Sequence, residues 1–216
     1  MTNIVETFKK IQLNITEQKP SKPVNIVAIS KTFPLKHVKP LFDYGHLHFG
    51  ENKVQEATTK WSDLKKKNKN LQLHMVGKLQ SNKAKEAVKI FDYIHSLDNQ
   101  KLADKLAKYE SNLSRQLKYF IQVNIANEVQ KSGIPVNELD AFYNYCKNEA
   151  KLKILGLMII PPNDNHPEKY FKSLNELNRS FEFKEISMGM SADYILAVKN
   201  GATFVRIGSS IFGKRS

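Results

Sequence analysis

The fold is decided by the stretch Ser187-Met188-Gly189-Met190-Ser191-Ala192-Asp193 and its continuation. The continuation runs through Asn200-Gly201 to Thr203-Phe204-Val205-Arg206-Ile207-Gly208-Ser209. Its pattern predicts a strand, a turn, a helix, a second strand and a second turn. Ser191 is a suitable N-cap for this helix, and Asn200-Gly201 is a suitable end. Both turns follow a strand and offer N–H groups and hydroxyls that can hold a phosphate. A surface loop followed by an ordinary buried strand is the alternative that this stretch leaves open.

The alternation of strand and helix extends through the rest of the chain. Eight apolar segments predict strands at residues 24–30, 46–50, 71–77, 93–97, 118–125, 154–160, 185–190 and 203–208. Seven amphipathic segments between them predict helices at residues 35–44, 54–67, 83–90, 100–112, 136–150, 167–180 and 192–200. This alternation is typical of βαβ units and a parallel sheet.

Eight such strands in 216 residues fit a (β/α)8 barrel of the TIM type better than an open doubly wound sheet. Periodicity alone does not show that the sheet closes, so the open sheet is the alternative. We expect a single α/β domain over residues 1–216, with an extra N-terminal helix at residues 1–18 and the barrel at residues 24–213. No eighth helix is expected before the chain ends, and the N-terminal helix is expected to cover that side of the barrel.

Composition indicates a globular protein of the cytoplasm. The chain has one cysteine, Cys146, which favours a reducing compartment, and no apolar run is long enough for a signal peptide or a membrane span.

The formal net charge of +13 would suit a nucleic-acid partner. However, its lysines are scattered over polar helix faces, and no aromatic residues interleave with a basic stripe. We therefore expect neither a nucleic acid nor a membrane as a partner.

Two basic residues are candidates for chemistry at the C-terminal strand ends, where barrels carry their active sites. Lys31 directly follows an apolar strand, so its amine is either a nucleophile in the barrel mouth or an ordinary side chain that reaches water. Arg206 shares a predicted strand face with Phe204 and Gly208. A buried arginine keeps its charge and needs an acceptor, which is either a ligand or a structural ion-pair partner.

Other polar residues near the strand ends are weaker candidates. His46 and His48 share a strand face, and His74 and His95 lie near later strand ends. These histidines lack carboxylate and cysteine partners at ligand spacing, so we do not expect a metal site. Glu51 and Asp98 are expected to orient neighbouring groups.

Seven motifs occur in the order and spacing of one family. They are Ala28-Ile-Ser-Lys31-Thr32, His48-Phe-Gly-Glu-Asn52, Gly77-Lys-Leu-Gln-Ser-Asn-Lys83, Lys131-Ser-Gly133, Gly156-Leu-Met-Ile-Ile-Pro-Pro162, Ser187-Met-Gly-Met-Ser191-Ala-Asp193 and Val205-Arg-Ile-Gly208. Over residues 24–213 the chain resembles the pyridoxal phosphate homeostasis proteins, whose fold resembles the N-terminal barrel of alanine racemase. It departs from the commonest family pattern at Lys53, where an aromatic residue is frequent, and this affects the rim of the pocket.

The resemblance implies a cofactor, pyridoxal 5′-phosphate (PLP), and a set of residues that bind it. Lys31 would be the Schiff-base lysine, and Arg206 would face the pyridine nitrogen. The other implied positions are Ser191, Gly208 and Ser209 at the phosphate, Ser187, Met188 and Gly189 in the adjoining loop, Asn52 and Met158 at the mouth, and Lys131 as a second lysine near the pocket.

The resemblance also implies a function without turnover. Strong electron-sink chemistry requires a protonated ring nitrogen, which a cationic arginine opposes. We expect no second domain to supply the tyrosine acid/base that alanine racemase uses. We therefore expect a monomeric carrier that buffers PLP and passes it to apo-enzymes. The alternatives are a single-domain PLP enzyme, such as an amino-acid racemase that uses Lys31, and a basic barrel that binds RNA.

Overall fold

Parallel strands and surrounding helices make up the computed structural model, which describes residues 3–128 and 130–213. The strands are β1 (Asn25–Ile29), β2 (His48–Glu51), β3 (Gln72–Met75), β4 (Tyr93–Leu97), β5 (Lys118–Asn124), β6 (Ile134–Pro135), β7 (Ile154–Met158), β8 (Glu185–Met190) and β9 (Phe204–Ile207). The helices are α1 (Ile4–Glu17), α2 (Leu35–Asp43), α3 (Val54–Lys67), α4 (Ala84–Ile90), α5 (Gln100–Leu113), α6 (Leu139–Asn144), α7 (Pro167–Ser180), α8 (Tyr194–Lys199) and α9 (Ser209–Phe212).

Eight of these strands form a closed ring. Their order is β4-β3-β2-β1-β9-β8-β7-β5, and a pairing between β4 and β5 closes the ring. All the pairings are parallel. The two-residue strand β6 pairs with β5 outside the ring. The predicted (β/α)8 barrel of the TIM type is therefore confirmed, and the open sheet is excluded.

Strand alternation separates the inside of the barrel from the layer beneath the helices. On β1, Val27 and Ile29 belong to an inner apolar cluster, whereas Ile26 and Ala28 belong to the larger core between strands and helices. Both faces of the strand are thus buried, which explains why the sequence of β1 is an almost continuous apolar run.

Helix α1 covers one side of the barrel. Its N-cap Asn3 accepts a hydrogen bond from the N–H of Val5 (3.2 Å), and its buried face carries Phe8, Ile11 and Ile15. The helix packs against α2, α8 and α9. The expectation that no eighth helix follows the last strand was wrong, because the one-turn helix α9 starts directly after β9. Among the described residues, no helix has the length and apolar character needed to cross a membrane.

Candidate functional site

A cavity of about 320 Å³ opens at the C-terminal ends of the strands. Six of the predicted site residues line it, namely Lys31, Asn52, Ser191, Arg206, Gly208 and Ser209. Ile29, Val76, Ile160, Met190 and Ala192 supply the remaining, apolar part of its wall. The fold therefore gathers an amine, a guanidinium, hydroxyls and apolar surface from distant parts of the chain at one site.

Arg206 places a buried positive charge in the wall of this cavity. The residue is 5% exposed, and its guanidinium donates hydrogen bonds to Ser187 Oγ and to the carbonyl of Ile159, both at 2.7 Å. Burial lowers the pKa of Arg206 to about 10, so the group is still cationic at neutral pH. Among the described residues no carboxylate lies within 4 Å of the guanidinium, which excludes the ion-pair alternative there. In the described part of the chain, the acceptors of this charge are therefore a hydroxyl and a backbone carbonyl, both neutral.

The two turns at the ends of β8 and β9 are joined through one oxygen atom. Ser191 Oγ accepts hydrogen bonds from the N–H groups of Gly208 (3.2 Å) and Ser210 (3.4 Å). These N–H groups converge on one point at the edge of the cavity, an arrangement that suits an anion. The prediction that Ser191 caps the following helix was wrong. Helix α8 begins three residues later, at Tyr194. In the turn before it, the side chain of Asp193 accepts a hydrogen bond from the N–H of Met190 (2.6 Å).

Gly208 allows the end of β9 to approach β1. A Cβ atom at this position would lie 3.3 Å from both Cβ and the carbonyl oxygen of Ile29, which is tighter than an ordinary contact. The missing side chain thus leaves room for the neighbouring strand.

Four predicted site residues lie outside the lining of the cavity. Met158 and Ser187 are buried in the barrel interior, where Ser187 contacts Arg206. Met188 belongs to the outer core, because strand alternation turns its side chain away from that of Ser187. A Cβ atom on Gly189, whose φ is +89°, would lie 2.5 Å from Ala197 Cβ in α8. Met188 and Gly189 therefore shape the strand end from its outer side.

A buried cluster of charged groups fixes the chain on one side of Lys31. Glu51 Oε1 accepts hydrogen bonds from Ser30 Oγ (2.6 Å), Lys60 Nζ (2.8 Å) and the indole of Trp61 (2.9 Å). Lys60 Nζ also donates to the carbonyl of Ser30 (2.8 Å). The backbone and the side chain of the residue before Lys31 are both held by this cluster, in line with the expectation that Glu51 orients neighbouring groups.

The same cluster extends to the residue after Lys31. Glu56 Oε1 accepts the N–H of Thr32 (2.6 Å) and a hydrogen bond from Lys60 (3.0 Å). Burial alone would raise the pKa of Glu56, but these hydrogen bonds lower it on balance. Thr32 has a φ of +70°, a conformation that needs such support. Sequence reasoning missed Glu56 and Lys60, although their spacing of four on one helix was a visible signal.

Two further lysines lie near the rim. Lys131 Nζ lies 2.6 Å from Glu128 Oε2 and donates to the carbonyl of Pro161 (3.3 Å), next to the cavity-lining Ile160. Lys53 is exposed at the start of α3. Within the described part of the chain, no group of three or more His, Cys, Asp or Glu side chains is arranged to hold a metal ion.

Comparison with known proteins shows the family. Residues 9–216 match the family model described as "Alanine racemase, N-terminal domain". A relative from Pasteurella multocida named "Pyridoxal phosphate homeostasis protein" is 35% identical over 224 residues, which cover 99% of this chain and 96% of the relative. A relative of the same name from Aquifex aeolicus is 36% identical over 201 residues, or 88% of this chain and 86% of the relative.

A solved structure agrees with these matches. PipY of Synechococcus elongatus, determined with PLP bound, is 33% identical and superposes with a TM-score of 0.87 over 98% of this chain and 100% of PipY. The resemblance inferred from the seven motifs is thereby confirmed. The chain belongs to the alanine racemase N-terminal domain family and, within it, to the pyridoxal phosphate homeostasis proteins.

Proposed function

We propose that this protein binds PLP in the cavity at the strand ends and carries it for other proteins. The observation that carries the proposal is the buried cationic side chain of Arg206, which lines the cavity together with Lys31. PipY, which is similar over its whole length, was solved with PLP bound.

The donor set fits this cofactor group by group. The amine of Lys31 suits the aldehyde, with which we propose that it forms a Schiff base. Ser191, Gly208 and Ser209 suit the phosphate, and the apolar side chains of Val76 and Ile160 are available to the faces of the ring. When bound, PLP supplies a reactive aldehyde and a ring that can accept electrons.

The residues of this chain favour storage over turnover. Arg206 can only donate hydrogen bonds, so it stabilises an unprotonated ring nitrogen and opposes the protonated form on which strong electron-sink chemistry depends. The cluster around Glu51 holds the backbone on both sides of Lys31 in place. We therefore propose a carrier that buffers PLP and hands it to apo-enzymes, with no amino-acid turnover of its own.

We further propose that the carrier acts as a monomer in the cytoplasm. Cys146 is buried, and burial raises the pKa of its thiol to about 12, so this cysteine is an unreactive core residue. A reducing compartment suits such a chain.

Covalent trapping tests the role of Lys31. We expect borohydride treatment of the PLP-loaded protein to fix the cofactor on the peptide that contains Lys31, because reduction makes the lysine–aldehyde bond permanent. Lys31→Ala should lose the adduct completely. Lys131→Ala is the matched control, since this lysine lies at the rim, and it should keep the adduct. Mass spectrometry of the digested protein is the measurement, and an adduct confined to Lys131 would contradict the assignment.

Comparison of PLP with pyridoxal tests the phosphate position. Charge-assisted hydrogen bonds are worth about 1.5–3 kcal/mol each, so loss of the phosphate should weaken binding at least about tenfold. Ser191→Ala should weaken the binding of PLP more than that of pyridoxal. Ser62→Ala, which changes an exposed hydroxyl on α3, should leave both unchanged. Titration followed by absorbance measures both affinities, and equal affinities in the unmodified protein would place the phosphate elsewhere.

A further inference from the structure

A chain of histidine rings crosses the inside of the barrel and ends at Arg206. His48 Nδ1 lies 3.0 Å from His74 Nε2, and His74 Nδ1 lies 2.9 Å from His95 Nε2. His95 Nδ1 lies 2.8 Å from Ser187 Oγ, which accepts the hydrogen bond from Arg206. We call these three rings and Ser187 the histidine relay. It starts at the first residue of β2, near the N-terminal end of the barrel, and reaches the wall of the cavity.

The relay is shielded from water along most of its length. His74 and His95 are fully buried, and aromatic rings stack on both of them: Tyr93 on His74 at 4.2 Å and Phe120 on His95 at 4.5 Å between centroids. Barrel interiors of this kind are usually filled by branched apolar side chains. Burial lowers the pKa of both histidines well below the usual value, so both rings are neutral.

Arg206 determines the direction in which hydrogen bonds are donated along the relay. The guanidinium can only donate, so Ser187 Oγ accepts from it and has its own hydrogen left to donate. If Ser187 donates to His95 Nδ1, then the neutral His95 carries its hydrogen on Nε2 and donates to His74. His74 in turn donates from Nε2 to His48. His74 and His95 then each have one donor and one acceptor in use, and the positive charge of Arg206 polarises the whole series. If the hydrogen bonds ran in the opposite direction, Ser187 Oγ would accept from both His95 and Arg206. The hydroxyl hydrogen of Ser187 would then have no acceptor within the relay.

We propose that His48, His74 and His95 are positioning residues for Arg206, and that protonation of His48 reverses the direction of the relay. A protonated His48 has a hydrogen on Nδ1 and can only donate to His74. His74 and His95 must then both carry their hydrogens on Nδ1, and the hydroxyl of Ser187 is released beside Arg206. A proton taken up near one end of the barrel thus changes the hydrogen bonding of Ser187 at the other end, where Ser187 accepts from the cavity-lining Arg206. This inference rests on the proposed function, because Arg206 is proposed to face the cofactor.

The groups around His48 determine the pH at which its ring takes up a proton. His46 bonds to the carbonyl of His48 (2.8 Å), and the ring of Tyr93 lies 6.2 Å away between centroids. Burial and the positive charge of Lys118 lower the pKa of His48, whereas Asp92 raises it. His48 is only partly buried, so of the three rings it is the one that can take up a proton from water.

NMR of the cofactor-free protein with ¹⁵N-labelled histidine tests the relay directly. At about pH 7.5 we expect His74 and His95 both to carry hydrogen on Nε2, and both to switch to Nδ1 as His48 titrates below about pH 6.5. His48→Leu should abolish the switch. His166→Gln is the control, because His166 is exposed, and it should leave the switch unchanged. Either ring with hydrogen on Nδ1 near neutral pH, or no switch while His48 titrates, would overturn the proposal.

A second measurement follows the cofactor. In the PLP-loaded protein we expect the visible absorption band to shift over the pH range in which His48 titrates, and His48→Leu to remove that shift. A band that shifts equally in both proteins would contradict the coupling to the cavity. Failure of PLP binding would overturn the proposed function and leave the tautomer result unaffected. The wild-type spectra keep the relay testable if His48→Leu fails to fold.

Discussion

Lowering the pH from about 7 to about 5 should remove about 6 kcal/mol from the free energy of unfolding. Three histidines carry this loss: His46, whose pKa burial lowers to about 4, and His74 and His95, whose pKa values are lower than usual for the same reason. In the unfolded chain all three take up protons below about pH 6.5. The folded chain does not, so each histidine costs about 2 kcal/mol over this interval.

The sign follows from proton uptake on unfolding. Between the folded and unfolded pKa values the unfolded state binds more protons, so stability falls as the pH falls. Glu110 opposes the trend, because burial raises its pKa and the folded state holds its proton more tightly. Since whole domains have free energies of unfolding of about 5–15 kcal/mol, this protein should approach unfolding in mild acid.

Urea unfolding at a series of pH values measures this effect. We expect His46→Phe to lower the slope of unfolding free energy against pH by about one proton, because the ring lies among Phe8 (4.6 Å) and Phe49 (5.2 Å) and an aromatic replacement fits there. His166→Gln should leave the slope unchanged. A stability that stays constant from pH 7 to pH 5 would show that these rings are protonated in the folded protein.

Lys60→Met should destabilise the protein by about 3–5 kcal/mol. The side chain of Lys60 is 6% exposed, and its ammonium group lies 2.8 Å from the fully buried carboxylate of Glu51. Methionine is similar in size but leaves that carboxylate without its cation. Because the same cluster holds Ser30 and Thr32, the variant should also lower the yield of the borohydride adduct on Lys31.

Two controls separate charge from packing. Lys39→Met breaks a 2.6 Å ion pair with Asp43 in which both side chains are 52% exposed, and it should cost at most about 1 kcal/mol. Adding Glu51→Gln to Lys60→Met removes the uncompensated charge and should recover part of the stability. A cost for Lys60→Met as small as that for Lys39→Met would show that the buried pair contributes little.

Most of the fold could be predicted from the sequence because its elements have strong periodicity. Strands β4 and β8 and helices α3 and α7 have the predicted bounds, since each is an uninterrupted apolar or amphipathic segment. The one-turn helix α9 and the two-residue strand β6 were missed, because segments of two to four residues carry no measurable period. Closure of the ring depends on the pairing of β4 with β5, which is set by strand tilt and not by any local pattern.

Six predicted residues line the cavity, but only Lys31 and Arg206 stood out from the local sequence pattern alone. A charged side chain within an apolar strand, or directly after one, is unusual. The predicted N-cap role of Ser191 was wrong, since the hydrogen bonds that its hydroxyl accepts come from a turn that follows a different strand. The histidine relay was not foreseen for the same reason, because its four members come from four strands that become neighbours, or face one another, only in the closed ring.

The pairing of β1 with β9 has a consequence for biosynthesis. Lys31 follows β1 and Arg206 lies on β9, which are the first and the last strands of the ring along the chain. The two strands pair directly, and the N–H of Asn25 donates to the carbonyl of Thr203 next to this pairing (2.7 Å). Contacts between such distant segments form late, and synthesis proceeds from the N-terminus. A chain still emerging from the ribosome therefore has its lysine long before it has the arginine and the turns that complete the cavity. Binding of PLP in the cavity should therefore occur only after the whole barrel has been synthesised and has folded.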